Sequence, residues 1–139
     1  VLVSRQAFMA CVPAPHALAR KRRLAPAPLA GEPFVAISRA VSPDYHDRLL
    51  ALCADHGFEP DVRFELRHWL SVVSVVAQGL GVSLVPAALQ QAGLPGAAFV
   101  PLPGDSPPYG TRCLLRERGE RGAHSAFLDA VRGFAQPAE

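Results

Sequence analysis

Between Trp69 and Gly104 the chain carries no charged side chain. A stretch of that length must lie either in the hydrocarbon of a bilayer or in the interior of a fold. Gly79, Gly81, Pro86, Gly93, Pro95 and Gly96 interrupt it, and Gln78, Gln90 and Gln91 stand among its apolar residues. It therefore lacks the unbroken apolar run of about 20 residues that a spanning helix requires. The stretch reads as the buried core of a globular chain, with no membrane partner expected. A length of 139 residues, 50% of them hydrophobic and 19% charged, suits one compact fold and excludes wholesale disorder.

The 14 prolines and 11 glycines follow no period, which excludes collagen and repeat architectures and leaves frequent element boundaries. Residues 6–12 (QAFMACV), stopped by Pro13, and 34–38 (FVAIS) are short apolar runs of strand type. Ser42 followed by Pro43 predicts an N-cap and first helical residue, with Tyr45, Leu49, Leu52 and Cys53 as the buried stripe and Gly57 as the left-handed close. Asp61 to Leu66 alternates as a half-exposed strand near a sheet edge. His68 to Gln78 reads as a nearly all-apolar helix in which Leu70, Val73, Val76 and Ala77 share a face. VSLV (82–85) is a strand, Pro86 opens a short helix, and 97–102 is a further strand. Strands alternating with helices predict an α/β fold with a mostly parallel sheet and helices on both faces. The turn-rich run 104–110 marks a boundary, after which 111–117 reads as a strand and 122–135 as a helix with a Phe127, Leu128, Val131 and Phe134 stripe.

Four of the 14 basic residues stand together as Arg20, Lys21, Arg22 and Arg23, leaving ten against 12 acids elsewhere. The net charge of +2 is thus local, and this run reads as a solvated loop rather than a nucleic-acid footprint. Cys11, Cys53 and Cys113 are odd in number, widely spaced and set among apolar neighbours, which predicts buried reduced thiols in a cytoplasmic protein. The five histidines have no metal-ligand spacing, so neither metal nor cofactor is expected. Gly79 and Gly81 follow a helix and precede a strand, the reverse of a dinucleotide-binding loop, and read as a helix cap with close packing. Ser71, Ser74 and Ser83 read as serines bonded to backbone. No local arrangement supplies a nucleophile or an acid and base pair, so the chain reads as a non-enzyme.

Open α/β sheets place ligands outside the carboxyl ends of parallel strands. Here those ends gather Ser38, Arg39, Ser42, Pro43, Asp44 and Tyr45, then Arg67 and His68, then Pro86. First-turn N–H groups at Asp44 and Tyr45 can receive a carboxylate, with the Tyr45 ring packing against it.

The strings PHALARKRRL, EPFVAISR, DHGFEP and VVAQGLGVSLVPAAL, in this order, resemble the effector-binding domain of LysR-type transcriptional regulators. The most specific string runs from Val76 to Pro86, followed by Pro15 to Ala19, and the resemblance covers nearly the whole chain. It implies a periplasmic-binding-protein-like fold of two α/β subdomains joined by crossing strands, with a small-molecule effector in the cleft between them. Residues 1–101 would be the second subdomain, and 102–139 the strand and helix crossing back into the first. A winged helix-turn-helix would precede this chain and make the DNA contacts, the chain being a piece of a longer protein that forms a homo-oligomer, a dimer or tetramer.

Within that family, Ser42 to Tyr45 resembles the turn of members that sense aromatic or muconate-type carboxylates. The sequence departs at Asp44, whose charge would repel an anionic effector unless it turns away or pairs with Arg39. By position, the resemblance makes Ser38, Arg39, Ser42, Pro43, Asp44, Tyr45 and His68 the effector-binding candidates, with Arg5 a further one. A periplasmic-type solute receptor shares this fold and is the alternative; a secretion signal would separate the two. In the intact fold the terminal stripe would pack on the first subdomain; in this chain by itself it would fold onto residues 1–101 or pair with a second copy.

Overall fold

Apolar periods of two and 3.6 residues alternate along the chain. In the computed structural model, which describes residues 2–104, 109–112, 126–127 and 129–130, they become strands and helices. In order these are β1 (Leu2–Gln6), β2 (Phe8–Pro13), β3 (Pro33–Ile37), α1 (Pro43–Asp55), β4 (Asp61–Leu66), α2 (Trp69–Ala77), β5 (Ser83–Pro86), β6 (Ala97–Pro101) and β7 (Tyr109–Arg112). Short 3₁₀ turns occupy Ala17–Arg20, Ala27–Leu29 and Ala87–Ala92. The last is the short helix expected after Pro86, of 3₁₀ type: it ends at Gly93 in the left-handed conformation after six residues, a length at which the tighter turn competes well.

The chain divides into two compact units, Val1–Gln6 with Pro108–Glu139, and Ala7–Pro107. In the first, β1 pairs antiparallel with β7, Arg5 opposite Gly110. Of the expected terminal helix, residues 126–127 and 129–130 are helical and Phe127 is 50% exposed. Leu128, Val131, Phe134 and Cys113 lie outside the described residues.

In the second unit β3 runs parallel to β4, from Pro33 opposite Asp61 to Ile37 opposite Leu66. Val35 N–H donates to Val82 carbonyl and Val82 N–H to Pro33 carbonyl, both at 2.8 Å, which sets the start of β5 parallel beside β3. β2 lies between β5 and β6, antiparallel to both. Read across, the order is β4-β3-β5-β2-β6, with four strands running one way and β2 reversed. The expectation of a mostly parallel sheet is thus corrected to a mixed one, in which both pairings of β2 are antiparallel. The helical crossovers through α1 and α2 return the chain to the same end of the sheet, whereas β2 follows β1 after Ala7 alone.

Phe8, Ala10, Cys11 and Val12 of β2, all of β5, and Val72, Val73 and Val76 of α2 form the core, joined by Tyr45, Leu49, Leu52 and Cys53 of α1. The α1 stripe is the one its periodicity predicts. Leu70, expected on the buried face of α2, is 55% exposed, because it sits in the first turn, ahead of the valines that meet the sheet. Gly79 has φ +80° and closes α2, while a Cβ on Gly81 would stand 2.6 Å from Pro33 carbonyl oxygen, so both glycines have the cap and close-packing roles expected of them. Ser83 hydroxyl, fully buried, donates to Val35 carbonyl at 2.6 Å. Cys11 and Cys53 are free and buried, and burial pushes both thiols up to about 12. Among the described residues no helix is long and apolar enough to cross a membrane.

Candidate functional site

The carboxyl ends of β4, β3 and β5 share one edge of the sheet. Ser38 N–H donates to Leu66 carbonyl at 2.8 Å, so the segments leaving β3 and β4 start side by side. Phe8, which opens β2 opposite Pro86, and Pro101, which ends β6 opposite Met9, lie at the same edge.

After β3 the chain turns tightly. Ser38 carbonyl accepts from Val41 and Ser42 N–H, each at 3.0 Å, and Ser38 hydroxyl accepts from Ala40 N–H at 3.3 Å. Pro43, whose ring fixes φ near the helical value, then starts α1 where the sequence places it. Ser42 occupies the cap position with φ −142° and ψ 83°, but its side chain makes no capping hydrogen bond; its carbonyl accepts from His46 N–H at 3.2 Å. The cap expected from the Ser42 hydroxyl is thereby corrected, since this backbone geometry does not aim the side chain at the first-turn N–H groups. After β4, Arg67 and His68 are exposed, and His68, with φ −132° and ψ 138°, caps α2 through its carbonyl, which accepts from Val72 N–H at 3.1 Å.

Two aromatic rings fix the helix starts against each other. Tyr45 and Trp69 meet edge to face at 4.7 Å and 87°, and Phe8 stands 5.9 Å from Tyr45 on another side. Tyr45 is fully buried, and its hydroxyl donates to Leu84 carbonyl at 2.8 Å. The ring expected to lie against a ligand is therefore a core ring, while Trp69, half-buried beside it, is the aromatic side chain with surface to offer. Sequence reasoning missed Trp69 because an apolar residue at a helix start reads as part of the helix stripe. The signal available was its place directly after His68 at a strand end.

The charges at the start of α1 are balanced. Asp44 pairs with Arg48 at 3.2 Å, one helical turn on, and Arg39 pairs with Asp47 at 2.9 Å. The Asp44 and Arg39 pairing considered from the sequence is not formed, since helical spacing delivers Arg48 to Asp44 more directly. His46 Nε2 lies 3.8 Å from Glu65 Oε1, and His46 Nδ1 is buried with no hydrogen-bond partner among the described residues. Arg5 belongs to β1, in the other unit.

With its one first-turn carboxylate, Asp44, paired to Arg48, this edge presents the positive ends of two helices together with Arg67 and His68. Such an edge can hold a small anion or a polar ligand. Among the described residues no group of three His, Cys, Asp or Glu side chains is arranged to hold a metal ion.

Residues 2–136 match the family model described as the LysR substrate binding domain, and the chain belongs to that family, the effector-binding domains of LysR-type transcriptional regulators. It is 30% identical over 101 residues to the uncharacterized HTH-type transcriptional regulator YnfL of Escherichia coli, covering 73% of this chain and 34% of that protein. It is 39% identical over 84 residues to the HTH-type transcriptional regulator CatR of Pseudomonas putida, covering 60% of this chain and 29% of that protein. The chain thus spans about a third of the length of these relatives. Among solved structures it is similar to the BenM effector-binding domain with its effector benzoate, at 25% identity and TM-score 0.67 over 98% of this chain and 65% of that one. It shares its fold with the LysR family regulator CbnR, at TM-score 0.82 and 19% identity over 99% of this chain and 47% of that one. These neighbours are LysR effector-binding domains of periplasmic-binding-protein-like fold, and the solute-receptor alternative is not favoured.

Proposed function

We propose that this chain senses a carboxylate or aromatic acid at the carboxyl edge of β4, β3 and β5, and passes that signal to DNA through parts of a longer protein. Its closest structural support is the edge-to-face contact of Tyr45 and Trp69, which brings the starts of α1 and α2 together where the strands end. Ser38, Arg39, Ser42, Pro43 and Asp44 border the ligand after β3, His68 borders it after β4, and Tyr45 holds the α1 start in place from within the core. The Asp44–Arg48 ion pair supports this reading by lessening the repulsion that Asp44 would exert on an anion. That BenM carries benzoate in its effector-binding domain agrees with this ligand class.

In this reading residues 1–101 are the second regulatory subdomain and 102–139 the return into the first. A winged helix-turn-helix outside this chain contacts DNA. The effector favours one closure angle of the two subdomains over another, and so biases the geometry of a DNA-bound homo-oligomer in the cytoplasm. No catalysis and no cofactor are involved.

The test is a thermal-shift titration of the full-length regulator with benzoate, a muconate-type dicarboxylate and, as control, a neutral benzyl alcohol. The acids should raise Tm while the alcohol leaves it unchanged, and Ser38→Ala with His68→Ala should reduce the rise without lowering the ligand-free Tm. A response to the alcohol equal to that of the acids refutes the anion site.

A further inference from the structure

The cationic run Arg20, Lys21, Arg22 and Arg23 is held differently from an ordinary solvated loop. All four residues are exposed, yet the segment is pinned at both ends. On one side Lys21 N–H donates to Leu18 carbonyl at 3.2 Å, and Leu18 N–H donates to His16 Nδ1 at 3.1 Å. His16 Nε2 is in turn 3.0 Å from Glu32 Oε1. On the other side Leu24 is buried, and its N–H donates to Pro101 carbonyl at 2.9 Å. Four adjacent cations on a short, anchored segment repel one another, and anchoring prevents them from spreading apart.

The acids do not relieve that repulsion. Among the described residues, ion pairs join Asp44 to Arg48, Asp47 to Arg39, Asp61 to Arg63, Glu65 to His46 and Glu32 to His16, and none reaches Arg20, Lys21, Arg22 or Arg23. Without these four residues the chain has ten basic groups against 12 acidic ones, so the net positive charge of the chain rests on this run, the longest row of adjacent cations in it.

We propose that Arg20–Arg23 is a docking surface for the phosphates of duplex DNA, used without regard to sequence. Residues 14–32 contain no Phe, Tyr or Trp, so the segment has no ring on which an unpaired base could stack, and the partner is a backbone rather than a single strand. Its apolar neighbour Leu24 is buried, leaving little for insertion into a lipid surface. The arginines suit phosphate forks, and their adjacency suits a closely spaced row of charges such as a duplex presents. This inference does not depend on the nature of the effector.

The experiment is fluorescence anisotropy of the chain as it stands with a labelled duplex of scrambled sequence, from 50 to 200 mM salt. If each cation neutralises one phosphate, log K falls with log salt at a slope of about −3.6, or about 150-fold across that range. Arg20→Gln with Lys21→Gln, and separately Arg22→Gln with Arg23→Gln, should each halve the slope and leave the thermal melt unchanged. Arg→Lys at 20, 22 and 23 should retain it. Three results overturn the proposal: no binding at 50 mM salt, an undiminished slope in both glutamine variants, or equal affinity for poly-glutamate or for vesicles of phosphatidylserine and phosphatidylcholine.

Discussion

β5 and β4 flank β3 and run in its direction, yet their side chains meet opposite conditions. Every residue of β5 is buried, whereas β4 has no buried residue and leaves Phe64 37% exposed. Position explains the contrast: β5 has strands on both sides, while among the described residues β4 pairs with β3 alone. The residues that hold the unit together thus lie toward β5, and those proposed to border a ligand lie at the end of β4 and in the turn after β3. Tyr45 crosses this division, since its backbone belongs to the polar edge and its ring to the core around Leu84.

The largest expected effect tests that division directly. Tyr45→Ala removes a fully buried ring and leaves Leu84 carbonyl without its donor, and should cost about 3–5 kcal/mol in urea unfolding. Phe64→Ala, on β4, should cost about 1 kcal/mol, since part of its ring is already in water. Equal losses at the two positions would break the contrast between core and edge.

A second effect concerns the junction of β3 and β5. Gly81→Ala places a Cβ 2.6 Å from Pro33 carbonyl oxygen, a backbone atom that cannot swing aside, and should destabilise the unit by about 1–3 kcal/mol. Hydrogen exchange should locate the loss in Val35 and Val82 N–H, which bridge the two strands. Loss confined to β4 would place the weak seam at the edge instead.

The smallest effect near neutrality comes from the thiols of Cys11 and Cys53. The folded unit holds both protonated up to about 12, against an unfolded value of 9.0, so the unfolded chain releases these protons first as pH rises. Their contribution is therefore intact below pH 9.0 and is lost between 9.0 and about 12. Urea midpoints should fall over that window, and fall less steeply in the Cys11→Ala, Cys53→Ala double variant. Rapid alkylation of Cys11 in the native chain at pH 8 would contradict its burial in β2.

Much of this molecule follows from sequence because its causes are local or depend on composition. The uncharged stretch from Trp69 to Gly104 belongs in a core wherever the strands run, Pro43 can open a helix but not sit in its middle, and Gly79 supplies the left-handed turn that ends α2. The alternation of Asp61 to Leu66 carried enough polarity to mark an edge strand. Other features depend on groups far away in the chain. β2 runs against its neighbours β5 and β6, a direction absent from its own apolar pattern. The Tyr45 ring turned inward because Leu84, 39 residues on, offered a carbonyl and Trp69 and Phe8 offered faces. Periodicity states that a side chain is apolar and on one face; only the packed neighbours decide whether it meets a ligand or the core, since a hydrogen bond or ring contact forms with whatever the fold places within a few ångströms.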